Sequence, residues 1–441
     1  MAPQGPYKDD QPGGSRFLPL FLLLIVAYFN RFLPGAMIET IKADLDLSDT
    51  EAGAITGLAF SILFVIAGIP LGRLVDTTNR KRLIAMTMAI WAAGVGACGQ
   101  AQTMFALFLA RMTAGAGEVT LNPAIVSILN DASTGGRRDR SISLLSLTVY
   151  VGGGLAILAG GLAATASSGW TAVLPLGLGK IAPWRLMFYL ASVMGIVVVL
   201  AMLFLIREPV RRGPTRHVGG ATAPKVTSYL REHALLYTLL LGGYVSWSFF
   251  QFAGHYWLPA ILMRTFPEEA EQVPLLYSLA YVLSGMAGAL SAYPLMQGLR
   301  RLGFVDYPLV LCVIALMIML IGGLTFLFAP NLATAMVIYA VSGYFSAVTL
   351  GSVMLVIANI TPPAMIGLII SMYMVMMNVT GGMISPVLIG FLSDVVFGPE
   401  RIRWAFVSSA ALFLPLGVGL LIAARGRYRA LLFARAGEHR R

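Results

Sequence analysis

Charge is scarce in this chain. Asp, Glu, Lys and Arg make up 12% of its 441 residues, about half the share usual in soluble domains. Hydrophobic residues make up 58%. That balance excludes an ordinary soluble enzyme or nucleic-acid binder. Cysteine is nearly absent: Cys98 and Cys312 lie in separate apolar runs, which excludes a disulfide-stapled secreted domain and suggests no cysteine metal site. Four histidines and few intramembrane acids supply no nucleophile–base or metal-ligand set. No cofactor or metal is therefore expected, and an enzyme acting on lipid within the membrane is disfavoured. No ring of like charges or repeated filter motif points to a channel. The first sixteen residues are polar, with Asp9 and Asp10, and precede a long apolar run. That order is wrong for a cleaved signal peptide.

Apolar length and glycine are abundant instead. Segments long enough to span a bilayer run over Phe17–Met37, Ala52–Leu74, Leu83–Ala101, Met104–Ile128, Ile142–Ala166 and Leu186–Ile206. After a polar interval come Leu235–Leu262, Leu275–Met296, Val305–Phe328, Leu332–Ile357, Met365–Phe391 and Ala405–Ala424. Twelve spans of about 20 residues predict an all-α membrane protein with twelve transmembrane helices. The 47 glycines suit helices that pack closely in lipid.

The net charge of +11 follows from topology. With the N-terminus in the cytoplasm, 23 of the 31 basic residues fall on the cytoplasmic side and 5 (Lys42, Lys180, Arg264, Arg401 and Arg403) on the other. Such a bias predicts both termini inside, in the plasma (inner) membrane if the source is bacterial, with no nucleic-acid partner. Arg31, Arg111 and Arg185 are left over. The chain divides into a tail at 1–16, a six-helix bundle at 17–206, a basic linker at 207–234, a second six-helix bundle at 235–424 and a basic tail at 425–441. Two six-helix halves imply an internal repeat with any substrate site between them near the midplane.

Charges inside the spans mark that site. Helix 4 carries Arg111 and Glu118, seven residues or two turns apart and hence on one face. An Arg at a helix centre costs about 2.5–3.5 kcal/mol, and such residues normally line a substrate or ion path. Helix 1 carries Asn30-Arg31. Arg31 lies about 21 Å from the cytoplasmic end and Arg111 about 10 Å from the other face at 1.5 Å per residue, so their depths match and Glu118 is within reach of Arg31. Helix 7 is rich in aromatics; Tyr244, Gln251 and His255 share a face. With Tyr150, Tyr339, Tyr344, Tyr373 and Asn378 they are expected to line a cavity for an amphipathic molecule. Small residues line helix 2 (Gly53, Gly57, Ser61, Gly68), helix 5 (Gly152 to Gly154, Gly160, Gly161) and helix 8 (Ser284, Gly285, Gly288, Ser291), surfaces on which halves can close and reopen.

The loop after helix 2, with Gly72, Asp76, Arg80 and Lys81, resembles the signature loop of the major facilitator superfamily. The resemblance implies a cytoplasmic gate in which Asp76 contacts the start of helix 11, where a helix N-terminus stabilises a carboxylate. Thr77 stands where many members carry a basic residue and Asn79 where many carry glycine. The Asn30-Arg31 pair, Arg111 with Gly115-Ala116-Gly117-Glu118, Asn79-Arg80-Lys81 and Arg207-Glu208-Pro209 resemble the Spinster-type branch, over residues 27–210. That branch moves sphingoid and lysophospholipids. The residue before its helix 1 arginine is commonly aspartate; here it is Asn30, which cannot exchange a proton. Arg31 and Arg111 then face Glu118 alone, and the spare cation favours an anionic group such as phosphate. The expectation is a monomeric, proton-coupled secondary transporter of a small amphipathic anion, a lysolipid or sphingoid phosphate. Glu118 is its proton switch, and membrane lipid its surroundings. A drug, sugar or organic-acid exporter on the same scaffold is the alternative.

Overall fold

The computed structural model describes residues 17–132, 135–165, 172–173, 180–206, 208–209, 223–362 and 365–438. Twelve long helices run through the described residues: α1 (Leu18–Ala36), α2 (49–77), α3 (Arg80–Gln100), α4 (Met104–Ala132), α5 (Gly135–Thr165) and α6 (Pro183–Leu205), then α7 (Ala234–Thr265), α8 (Val273–Arg301), α9 (Tyr307–Phe328), α10 (Leu332–Ile360), α11 (Ile366–Phe397) and α12 (Ile402–Glu438). By length and composition, 11 of them can cross a membrane. The other, α7, is long enough at 32 residues, but its serines, tyrosines, Gln251 and His255 lower its mean hydropathy. Outside the helices, Ala172–Val173 pairs antiparallel with Lys180–Ile181 between α5 and α6.

Helix ends lie where capping chemistry puts them rather than where apolar runs stop. Thr103 accepts from the Ala106 amide at the start of α4, and Asn331 from Thr334 at the start of α10, separating spans that are almost continuous in sequence. Ser48 and Glu51 form a reciprocal capping box at the start of α2, which satisfies two amide donors otherwise left over. Asn79 accepts from the Arg82 amide and caps α3. A glycine there would offer no such acceptor. Three helices outrun their apolar runs: α3 begins at Arg80, α5 at Gly135, and α12 continues to Glu438. Helical hydrogen bonding needs no hydrocarbon around it, so apolar length reports only the buried part.

Two hydrophobic clusters, one centred in each half, form the core. Within the first half α1 packs on α5 and α3 on α4 and α6; within the second α8 packs on α10 and α7 and α9 on α12. The halves meet along α5 with α8, α2 with α11 and α1 with α7. The α2–α11 crossing is π-helical on both sides, over Ala54–Ala59 and Asn378–Ile384. Pro386 cannot donate to the Gly382 carbonyl, and that oxygen faces Gly57, where a Cβ would stand 2.4 Å away. No residue larger than glycine fits.

That crossing is tight at one end and open at the other. Gly53 and Gly57 of α2 touch Pro386 of α11, and Gly390 of α11 abuts the Asp49 carbonyl. Further along the same faces, Gly68 and Gly72 of α2 and Gly367 of α11 have no heavy atom within 4 Å of a Cβ position. The halves are closed on the side away from the chain termini and apart on the terminal side.

Candidate functional site

Arg31 on α1 and Arg111 and Glu118 on α4 come together at the centre, alongside the π segment of α2. An Arg31 Nη1–Glu118 Oε1 separation of 3.9 Å is an ion pair too long for a hydrogen bond. Arg31 Nη2 donates to the Asn378 amide oxygen at 3.3 Å across the interface between halves. Its guanidinium also lies 5.0 Å from the ring centres of both Phe60 and Phe64, which adds a cation–π attraction. Arg111 is fully buried and donates to two backbone carbonyls, those of Asn30 and Thr56, each at 3.5 Å. Thr56 lies in the π segment of α2; a π turn displaces carbonyls from the usual helical register and so offers one to Arg111. Phe60 lies 4.9 Å from the Arg111 guanidinium.

The centre is polar and under-bonded. Both side-chain atoms of Asn30, Nε of Arg31 and of Arg111, and Oε2 of Glu118 are buried without hydrogen-bond partners. Leaving such groups unmade costs roughly 1–3 kcal/mol each. Among the described residues the two guanidinium groups face one carboxylate, so the set carries one unmatched positive charge. An arginine fork is built for planar anionic oxygens.

The other expected lining residues separate into distinct places. Gln251, His255 and Tyr339 border a small, half-open cavity of about 40 Å³ inside the second half, with Phe250, Ser342 and Phe406. There Gln251 bonds His255 Nε2 at 2.8 Å and accepts from Ser346, which in turn accepts from Trp247 at 3.2 Å. His255 also meets Phe32 of α1 edge-on at 4.8 Å. Tyr150 of α5 packs on Gly285 of α8. Tyr244 is fully buried, its hydroxyl 3.8 Å from the Cys312 sulfur and its ring 6.1 Å from that of Tyr373. Tyr344 accepts from Ser291 at 2.6 Å beside a shallow groove between α8 and α10. Asn378 alone of this group touches the arginines.

On the terminal side, Arg80 is buried and ties three elements of the first half together. It donates to Glu208 at 2.8 Å, to Ser127 at 2.9 Å, to the Pro209 carbonyl at 3.0 Å and to Asp131. Glu208 in turn accepts from the amides of Arg80 and Lys81 and so caps α3. Gly72 lies on the open face of α2. The side chain of Asp76 lies outside the described residues, as does half of the 207–234 linker.

The opposite side holds a set of residues that the sequence reading did not single out. Asp394, near the end of α11, accepts from the amides of Asp49 and Thr50 at 3.1 and 2.7 Å and from the Thr50 hydroxyl at 2.6 Å. It therefore caps α2 from the other half. Asp49 is buried and accepts from Arg264 of α7 at 2.8 and 2.9 Å, from Ser393 at 2.6 Å and from Lys42. Arg264 also grips Glu39 at 2.6 Å. The signal was available: Gly390-Phe-Leu-Ser-Asp394 repeats the pattern of Gly72-Arg-Leu-Val-Asp76. Among the described residues no group of three or more His, Cys, Asp or Glu could hold a metal ion.

Comparison with known proteins gives a consistent setting. Residues 20–322 match the Major Facilitator Superfamily. An MFS-type efflux pump of Mycolicibacterium smegmatis is 27% identical over 62% of this chain and 59% of its own length. The probable L-galactonate transporter of Escherichia coli is 25% identical over 63% of this chain and 60% of its own length. Mouse protein spinster homolog 1 is 24% identical over 65% and 55%. The matches thus span less than two thirds of each relative. Among solved structures, a bacterial homolog of the human lysosomal transporter Spinster, in an inward-facing and unoccupied conformation, superposes with a TM-score of 0.73 at 20% identity, covering 98% of both chains. A D-xylose–proton symporter superposes with a TM-score of 0.65 at 11% identity, over 91% of this chain and 96% of its own.

Proposed function

Because the chain belongs to the Major Facilitator Superfamily, we propose that it is a secondary active transporter that carries a small amphipathic anion by alternating access. The observation that carries this reading is the buried centre, where Arg31 and Arg111 face Glu118 alone and several polar atoms lack partners. An anionic headgroup, such as the phosphate of a lysolipid or sphingoid base, offsets the positive charge of that centre, while Phe60, Phe64 and the aromatics of α7 suit an apolar chain.

Glu118 acts as the proton switch. Ionised, it competes for Arg31; protonated, it leaves Arg31 to the substrate. The bundles at 17–206 and 235–424 are the rocking units, joined by the basic linker at 207–234. The charge bias of the loops puts the terminal side in the cytoplasm, so the arrangement described is inward-facing, and the protein works as a monomer in the plasma membrane if its source is bacterial. A second reading, export of a drug, sugar or organic acid, draws on the named activities of the efflux pump and the L-galactonate transporter.

The test is counterflow in proteoliposomes preloaded in turn with a lysolipid phosphate, a sugar, a sugar acid and a hydrophobic drug. Saturable exchange of the lysolipid phosphate supports the first reading. Exchange of the others without it supports the second, and conversion of lipid to a new product contradicts both.

A further inference from the structure

Arg31 has ligands of two kinds, and they lie in different halves. Glu118, in its own half, stands 3.9 Å from Nη1. Asn378, on α11 of the opposite half, accepts from Nη2 at 3.3 Å. The direction in which the Asn378 amide points is fixed by its other bond: Nδ2 donates to the Met374 carbonyl at 2.8 Å, so the oxygen is the end left to face Arg31. Asn378 is buried and opens the π segment Asn378–Ile384. One turn on, Gly382 packs against Ser61 of α2. The bond from Arg31 therefore stands at the inner end of the closed α2–α11 contact, where the two halves begin to part.

From this juxtaposition we propose that Asn378 is a positioning residue that senses whether Arg31 is occupied: the substrate's anionic group displaces its amide oxygen, and losing that bond between halves frees α11 to swing from α1 and α2. The inference rests on the proposed reading that Arg31 receives the substrate anion. A phosphate or carboxylate offers the guanidinium two parallel, charge-matched hydrogen bonds that a single neutral amide oxygen cannot, so the amide yields where an anion arrives. An amide also cannot take up a proton. The two ligands of Arg31 therefore answer to different signals, Glu118 to protons and Asn378 to substrate. In the empty protein the Asn378 bond opposes opening on the outer side, which limits cycling without cargo.

The experiment uses the full chain in nanodiscs with spin labels at Gln102 and Glu271, exposed positions outside the spans, one in each half on the closed side. Distance distributions are recorded with and without an added lysophosphatidate. In the native protein the lipid should lengthen the distance. In Asn378→Ala the longer distance should already be populated without lipid, and the lipid should add little. Asn378→Leu keeps the volume and removes the acceptor; it gives the same readout if the alanine variant fails to fold. Asn378→Asp, which offers Arg31 a charged partner, should hold the shorter distance and raise the lipid concentration needed by about tenfold or more.

Native distances and a native lipid response in both the Ala and Leu variants overturn the role of Asn378. Binding of the lysophosphatidate to Arg31→Gln separates the two ideas. If that variant loses binding while the Asn378 variants behave as native, only this inference fails. If it binds normally, the reading of Arg31 as the anion site fails first.

Discussion

Asp394 and Thr50 lie in opposite halves of the chain, yet the carboxylate of the first accepts both the backbone amide and the hydroxyl of the second, at 2.7 and 2.6 Å. A helix N-terminus in one half is thus capped by a side chain of the other, and the cap exists only while the side away from the chain termini, the outer side on the proposed orientation, is closed. Removing a cap costs about 0.5–2 kcal/mol. Asp394→Ala should therefore shift the closed–open balance on the outer side by roughly 2- to 30-fold toward open. Accessibility of a cysteine placed on the outer face of α2 to a membrane-impermeant thiol reagent reads that shift.

Arg264 is a second tie across the same closed side, and its loss removes one of the two cations that hold Asp49. Breaking a buried pair costs about 3–5 kcal/mol; Lys42 and Ser393 remain beside Asp49, so Arg264→Ala should lie near the lower end, about 3 kcal/mol. Arg264→Lys should recover only part, because an ammonium cannot grip Asp49 and Glu39 together as the fork does. Thermal unfolding in detergent, followed by tryptophan fluorescence, gives the order native, Lys, Ala.

How much of this was legible beforehand follows from the cost of charge at depth. Arg31, Arg111 and Glu118 are conspicuous because an ion in an apolar run is expensive, and simple helical rise puts them at similar depth; they do meet in the fold. Asp49, Arg264 and Asp394 sit at the ends of apolar runs, where charges are ordinary. The repeat of the Gly72–Asp76 pattern at Gly390–Asp394 marks Asp394 in the sequence, but only the fold shows that Asp394 and Arg264 both meet the start of α2 at Asp49. The π segments of α2 and α11 left no mark in the hydropathy pattern at all, since one residue of extra winding does not change which residues are apolar. Tyrosines 150, 244 and 373 look alike as amphipathic candidates in the sequence, yet each is buried against a different neighbour, a distinction that only packing makes.

The proposed proton switch at Glu118 predicts how transport responds to pH. Its ionised form competes with the substrate for Arg31, so the apparent KM for an anionic substrate should fall as pH is lowered. In Glu118→Gln that competition is absent at every pH. The variant should show the low KM of the acid limb throughout, roughly tenfold below the native value on the alkaline limb if the competing contact is worth about 1.4 kcal/mol. Initial-rate uptake over a pH series checks both limbs.

Asn30 sits at full burial beside Arg111 with neither side-chain atom bonded. Asn30→Asp places a carboxylate there and removes the unmatched positive charge. At neutral pH anion affinity should drop, and it should return on acidification as the new acid takes up a proton, giving a steeper pH dependence than the native protein shows. Uptake driven by an imposed pH gradient, compared with uptake at equal pH, measures the change.

The central claim is that the unmatched positive charge at Arg31 and Arg111 selects an anionic headgroup. Counterflow of a lysophosphatidate against the monoacylglycerol of the same chain length tests it most directly, because the two differ only in the phosphate. The account predicts saturable exchange of the lysophosphatidate, with the uncharged lipid at least about tenfold weaker and the difference lost in Arg31→Gln. Equal exchange of the two lipids by the native protein contradicts it.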